Sequence, residues 1–186
     1  MSVERQLQGG RLNCPSCTAV LVPWGHGRPR EVRGDLGTRL SVRPRRSRCP
    51  ACGTTHVLLP EMMWPRRADA AEVIGAGLEI AAQGMGHRQV AAHLGLADGT
   101  VRGWIRRFRD RSGEVRRHFT VALVALADDQ VMPDPSGTAL GDAVSAVAAA
   151  HRAAAMKWSH INAVSRWEFA GRAMAGRVLT CSLSSS

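Results

Sequence analysis

The chain has no tyrosine, only three phenylalanines and five tryptophans in 186 residues, and a single lysine, Lys157, beside 24 arginines. With so few large side chains, any core must be built mostly from Ala, Val and Leu and must be thin. A hydrophobic content of 45% nevertheless excludes disorder along the whole length. Long apolar runs are also missing: the longest, Val121 to Ala127, falls far short of the ~20 residues that span a bilayer as a helix. Met1 to Gly10 lacks the apolar centre of a secretory leader. The expectation is a soluble cytoplasmic protein with no membrane partner.

Acids are the other scarcity. Against 25 basic residues stand 15 acidic ones, for a formal net charge of +10. The surplus is uneven. Residues 1–68 carry 12 arginines against Glu4, Glu31, Asp35 and Glu61, residues 69–118 carry eight against six acids, and residues 119–186 are balanced at five and five. A polyanion is the expected partner, met by the first two segments and not by the third. Turn formers cluster at Pro60 to Pro65 and again at Pro133-Asp134-Pro135-Ser136-Gly137. Charge and pattern together predict three units: 1–60, 66–112 and 113–186.

Catalytic signatures are absent from the pattern. There is no Gly-rich phosphate loop, no nucleophile elbow and no zinc-protease helix. The acids after Arg117, namely Asp128, Asp129, Asp134, Asp142 and Glu168, lie in helical patterns without strands to converge them on a metal pair. The expectation is a protein that is not an enzyme.

Four of the five cysteines form two close pairs, Cys14-Pro15-Ser16-Cys17 and Cys49-Pro50-Ala51-Cys52-Gly53. Cys-x2-Cys spacing lets two thiolates from one tight turn reach a tetrahedral Zn2+ at about 2.3 Å, and two such turns close the site. A redox dithiol would need only one pair, and four thiolates leave no open position for a catalytic zinc. One structural Zn2+ per chain, on Cys14, Cys17, Cys49 and Cys52, is therefore expected. Gly53 can take a left-handed conformation after the second pair, whereas Thr18 is the poorer match after the first. Val20-Leu21-Val22 and Arg39 to Arg43 have strand character. The unit resembles a zinc ribbon. Cys181 has no partner and reads as a free thiol. Arg43, Arg45, Arg46 and Arg48 run into Cys49 and are expected to contact phosphate.

From Asp69 a helical period begins. Val73, Ile74, Leu78 and Ala81 form one stripe, and Gln83-Gly84-Met85-Gly86 stops it. A short helix over His87 to Leu94 buries Val90, Ala91 and Leu94, and Gly95 turns left-handed after it. A third helix, Thr100 to Arg109, buries Val101, Trp104, Ile105 and Phe108 and exposes Arg102, Arg106, Arg107 and Arg109. Asp98 or Gly99 must start it, since Ala97 offers no cap. Gly103 inside it, about 1 kcal/mol worse than Ala in a helix, is either a point of close backbone approach to a partner such as DNA or simply tolerated.

The order from Gln89 to Trp104, with Ala92, Gly95, Val101 and Trp104 in place, resembles the helix-turn-helix of transposases and bacterial regulators. That resemblance implies a last helix in the major groove of double-stranded DNA, with contacts from Asp98, Gly99, Thr100, Arg102, Gly103, Arg106, Arg107 and Arg109. The whole arrangement, with Thr55-His56-Val57-Leu58-Leu59-Pro60 and Arg66-Arg67-Ala68-Asp69-Ala70-Ala71-Glu72-Val73-Ile74-Gly75, is similar to a bacterial family of zinc-ribbon and helix-turn-helix proteins, some associated with transposons. It implies a nucleoid-associated, non-catalytic DNA-binding protein, a transcriptional regulator or a transposition accessory with transposition proteins as partners. A truncated transposase derivative and an RNA- or protein-bridging zinc module are the alternatives.

Three further amphipathic helices are expected: one on Val115, His118, Phe119, Ala122, Leu123 and Leu126, one from Leu140 to Trp158, and one from Val164 to Met174. They could pack on the preceding unit or join copies into a homo-oligomer, and Trp158, Trp167 and Phe169 read as core. The expected fold class is mainly α with a small β zinc ribbon at the N-terminus, a homeodomain-like helix-turn-helix core and C-terminal helices.

Overall fold

In a computed structural model that describes residues 3–127 and 131–179, the chain is mainly helical, with small antiparallel sheets confined to the N-terminal part. Cys181, Asp128 and Asp129 lie outside the described residues. A short helix α1 (Val3–Gln8) precedes the strands β1 (Val22–His26), β2 (Arg30–Arg33), β3 (Arg39–Val42), β4 (Arg45–Arg48) and β5 (Thr55–Leu58). β4 is the centre of an antiparallel sheet ordered β1-β4-β5, while β2 and β3 form a separate hairpin. No helix among the described residues is long and apolar enough to cross a membrane.

The β1-β4-β5 sheet has its own small core of Leu7 from α1, Cys14, Leu21 and Cys49. The β2–β3 hairpin belongs elsewhere. Val32 is fully buried in the main helical core, and Arg33 and Asp69 hold the hairpin to the helices. The Arg33 amide donates to Ala68 O at 2.8 Å, the Ala70 amide to Arg33 O at 2.8 Å, and Arg33 Nε lies 2.8 Å from Asp69 Oδ1. Burial pushes the Asp69 carboxyl up, and the Arg33 guanidinium pulls it back.

The helices are α2 (Ala71–Ala82), α3 (His87–Leu94), α4 (Asp98–Leu126), α5 (Ala139–Lys157) and α6 (Arg166–Ala173). α2 ends at the expected glycines, Gly84 at φ +99°. α4 is the largest departure from the sequence reading. One helix of 29 residues covers both the expected third helix and the first C-terminal helix, crossing the expected boundary between 112 and 113. Its buried residues Val101, Ile105, Phe108, Ser112, Val115, Phe119 and Leu123 make one uninterrupted stripe at steps of three and four. The Ser112 hydroxyl donates to Phe108 O at 3.0 Å, and Gly113 faces solvent, so neither residue breaks the helix.

The expected linker is also core. Met63 and Trp64 are buried, and a single cluster runs from Val32 through α2, α3, α4 and α5 to Leu179. Two tryptophans lock it through glycines. Trp167 on α6 lies against the Gly75 backbone, where an added Cβ would overlap the indole, and its Nε1 donates to Glu79 Oε1 at 2.7 Å. Trp64 is seated in the same way on Gly171 and donates to Trp167 O at 3.3 Å. Arg166 adds an ion pair to Glu79 at 2.9 Å. Trp158, expected in the core, is instead 44% exposed, because α5 stops at Lys157 and the chain turns away. Replacing Gly75 by alanine is expected to lower stability by about 1 to 3 kcal/mol through overpacking. A melting curve equal to wild type would show that Trp167 can move aside at no cost.

Candidate metal centre and basic surfaces

The two Cys-x2-Cys turns are built alike. The amides of Cys14 and Cys49 donate to Ala19 O and Thr54 O at 2.8 and 2.9 Å, and the amides of Thr18 and Gly53 donate back to Cys14 O and Cys49 O at 2.8 and 2.9 Å. Both closing residues take the left-handed conformation, Gly53 at φ +74° and Thr18 at φ +62°. A β-branched residue there is strained by about 1 kcal/mol or more, part of which the Thr18 hydroxyl offsets by donating to Cys17 O at 2.7 Å. Thr18→Gly is expected to raise the stability of this turn by about 1 kcal/mol, read as a higher melting temperature. A lower one would mean that the hydroxyl outweighs the strain.

The turns bring the four Sγ atoms within 4.8 Å of one another, with Cys14 to Cys52 at 3.7 Å and Cys17 to Cys49 at 3.3 Å. Thiolates around a tetrahedral ion at 2.3 Å would stand about 3.8 Å apart, so the set fits a metal ion such as zinc with only small adjustment. All four are free thiols, not disulfides. Cys14 and Cys49 are buried and Cys17 and Cys52 are exposed, a closed arrangement at the edge of the small core.

The four close thiols bias one another's ionisation. The Thr54 hydroxyl and amide, helped by Cys49, hold the Cys52 thiol down at about 6. Cys17 is driven the other way, to about 12, because the Ala19 amide that favours its thiolate is outweighed by the Cys49 thiol, by burial and by the other two cysteines. The Cys14 thiol is also lowered, chiefly by the Ser16 amide, so the cluster favours thiolate at two positions and opposes it at Cys17, an opposition that a bound cation would relieve. His56 Nε2 lies 3.5 Å from Cys14 Sγ, a hydrogen-bond contact at the margin of the four-thiol cluster.

Residues 14–104 match a family described as a domain of unknown function (DUF6431). The matched span takes in both cysteine pairs, the whole sheet region, α2 and α3, and ends at Trp104 on α4. No curated protein and no solved structure matches the chain.

The arginines before Cys49 divide by strand geometry. Arg45 Nε pairs with Glu4 of α1 at 3.0 Å and its Nη1 donates to Gly25 O at 3.2 Å, so this residue is occupied within the protein. Glu4, on a helix too short for the sequence pattern to reveal, thus shares the guanidinium expected to meet phosphate. Arg46 and Arg48 alternate to the other side of β4, Arg48 lying over the Trp24 ring at 4.8 Å, and Arg43 is exposed.

On α4 the two faces separate as the spacing requires. Val101, Trp104, Ile105 and Phe108 are buried, while Arg102, Arg106, Arg107 and Arg109 are exposed. Gly95 is left-handed at φ +64°, and three residues, Gly95 to Ala97, connect α3 to α4. Asp98 begins the helix and pairs with His87 at 3.3 Å, Gly99 is exposed, and Thr100 is half-buried. An added Cβ at Gly103 would meet only the Arg107 guanidinium, which bends back to donate to Gly103 O at 3.1 Å. The sequence reading missed Arg111, which is buried and pairs with Glu114. Its place in the apolar stripe, between Phe108 and Val115, was the available signal.

Proposed function

We propose that the chain is a non-catalytic DNA-binding protein in which α3, the Gly95 turn and the first part of α4 act as a helix-turn-helix, and in which a structural Zn2+ on Cys14, Cys17, Cys49 and Cys52 holds the ribbon. One observation carries the reading. A left-handed glycine turn leads into a helix whose inner face is anchored by Trp104 and Phe108 and whose outer face presents Arg102, Arg106 and Arg109 at successive turns. Such a row suits guanine edges and flanking phosphates in the major groove. The amides of Asp98 and Gly99 at the start of α4 would favour a phosphate oxygen, and Arg43, Arg46 and Arg48 would add contacts from the ribbon. Four thiolates leave the metal no vacant position, so its contribution is to fold, not to chemistry. The biological role proposed is transcriptional regulation or assistance in transposition.

The test is binding to a duplex selected from random sequences, across a range of salt. Arg102→Ala with Arg106→Ala is expected to cost about 1 to 3 kcal/mol of discrimination for each base lost. For every phosphate contact removed, the slope of affinity against salt should flatten by about one. Curves superimposable on wild type at every salt would sink the proposal.

A further inference from the structure

The β1-β4-β5 sheet has one covered face and one open face. Arg45, Ser47 and Leu58 point toward α1 and the small core, Ser47 being fully buried. The cross-strand partners on the other face are Val22 with Arg48, Arg48 with Thr55, and Arg46 with Val57. Trp24, two residues beyond Val22, joins them, since the Arg48 guanidinium rests on its ring. Trp24 is 48% exposed, Val22 41% and Val57 49%, although burying an indole is among the largest apolar gains available to a fold. The three strands contain no acid, and no ion pair to Arg46 or Arg48 exists among the described residues.

We infer that this open face is a second nucleic-acid surface, specific for single-stranded DNA. A bare phosphate backbone would use the arginines and has no use for an exposed indole. An unpaired base has a flat π-face that stacks on an aromatic ring or a guanidinium, while its neighbouring phosphates meet the remaining arginines. In a paired duplex that π-face is hidden in the stack. Trp24 and Arg48 therefore form the stacking platform, Arg46 the phosphate contact, and Val22 and Val57 the apolar flanks. The inference adds to the duplex reading: it uses none of the α4 residues, and it gives Arg46 and Arg48 a single-strand role beside the ribbon contacts proposed for them above.

The experiment measures binding of a labelled oligothymidylate of about twelve nucleotides to the full metal-loaded chain, with melting temperature and metal content followed in each variant. Trp24→Ala is expected to weaken binding about tenfold or more, with Trp24→Phe close to wild type and Arg48→Ala intermediate. Because Trp24 is on the surface, its variants should melt as wild type does. Arg102→Ala with Arg106→Ala should leave oligothymidylate binding intact even where it abolishes duplex binding, so the two readings fail separately. The inference is overturned if oligothymidylate does not bind, or if Trp24→Ala binds it as wild type does. It is also overturned if duplex or polyglutamate displaces it as effectively at equal charge, or if oligouridylate binds more tightly than oligothymidylate.

Discussion

Cys49→Ser is expected to abolish metal retention and to unfold the sheet formed by β1, β4 and β5, while the helices from α2 onward keep their structure. Two of the four residues in the small core, Cys14 and Cys49, are thiols of the four-cysteine cluster. The other two, Leu7 and Leu21, supply about 1.5 to 3 kcal/mol each on burial, far less than the cost of ordering the backbone around them at about 1 to 2 kcal/mol per residue. A structural zinc site contributes on the order of 10 to 16 kcal/mol in small metal-dependent domains. Metal analysis should therefore fall from about one equivalent per chain to none. Limited proteolysis should then cut before Arg30 and after Val42, sparing the β2–β3 hairpin, which Val32 and the Arg33–Asp69 pair fasten to the helices. A metal-free wild-type chain with an intact protease-resistant ribbon would refute the metal's structural role.

Trp104→Ala should be nearly as damaging, and in a different part of the molecule. Trp104 is 3% exposed in the core between α2, α3 and α4, and truncating a buried tryptophan costs about 3 to 5 kcal/mol. That is a large share of the stability of an ordinary domain. Arg102, two residues earlier and exposed, should change stability by no more than about 0.5 kcal/mol when replaced by alanine. Denaturant unfolding of the two variants separates the faces of α4. If Arg102→Ala proves the more destabilising, the arginine row is packed inward and cannot read DNA.

Local chemistry was readable in advance where it is carried by neighbours in the chain. The doubled Cys-x2-Cys spacing gave the thiol cluster, and the three-and-four spacing of Val101, Trp104, Ile105 and Phe108 gave the orientation of α4. What escaped is set by partners distant in sequence. Glu4 occupying Arg45 depends on a six-residue helix too short to have a periodicity of its own. The seating of Trp167 on Gly75 and of Trp64 on Gly171 joins residues about a hundred positions apart, and a glycine in a helical pattern says nothing about which side chain needs its space. The length of α4 was hidden by Ser112 and Gly113, poor helix formers whose cost is outweighed by the tertiary stripe they sit in. Trp158 fell outside because the pattern reached one residue past the end of α5.

The continuity of α4 also fixes a phase. Over its 29 residues the helix runs about 43 Å without a joint, and each residue advances it by about 100° around its axis. The arginine row near its start and the packing against α5 along the rest share one rigid azimuth. Inserting a single residue near Gly113 would leave both ends helical yet swing the row a quarter-turn or more away from its present bearing. Restoring the bearing would take a whole number of turns, so chain length in this stretch is constrained in steps of three or four, however variable its exposed side chains become.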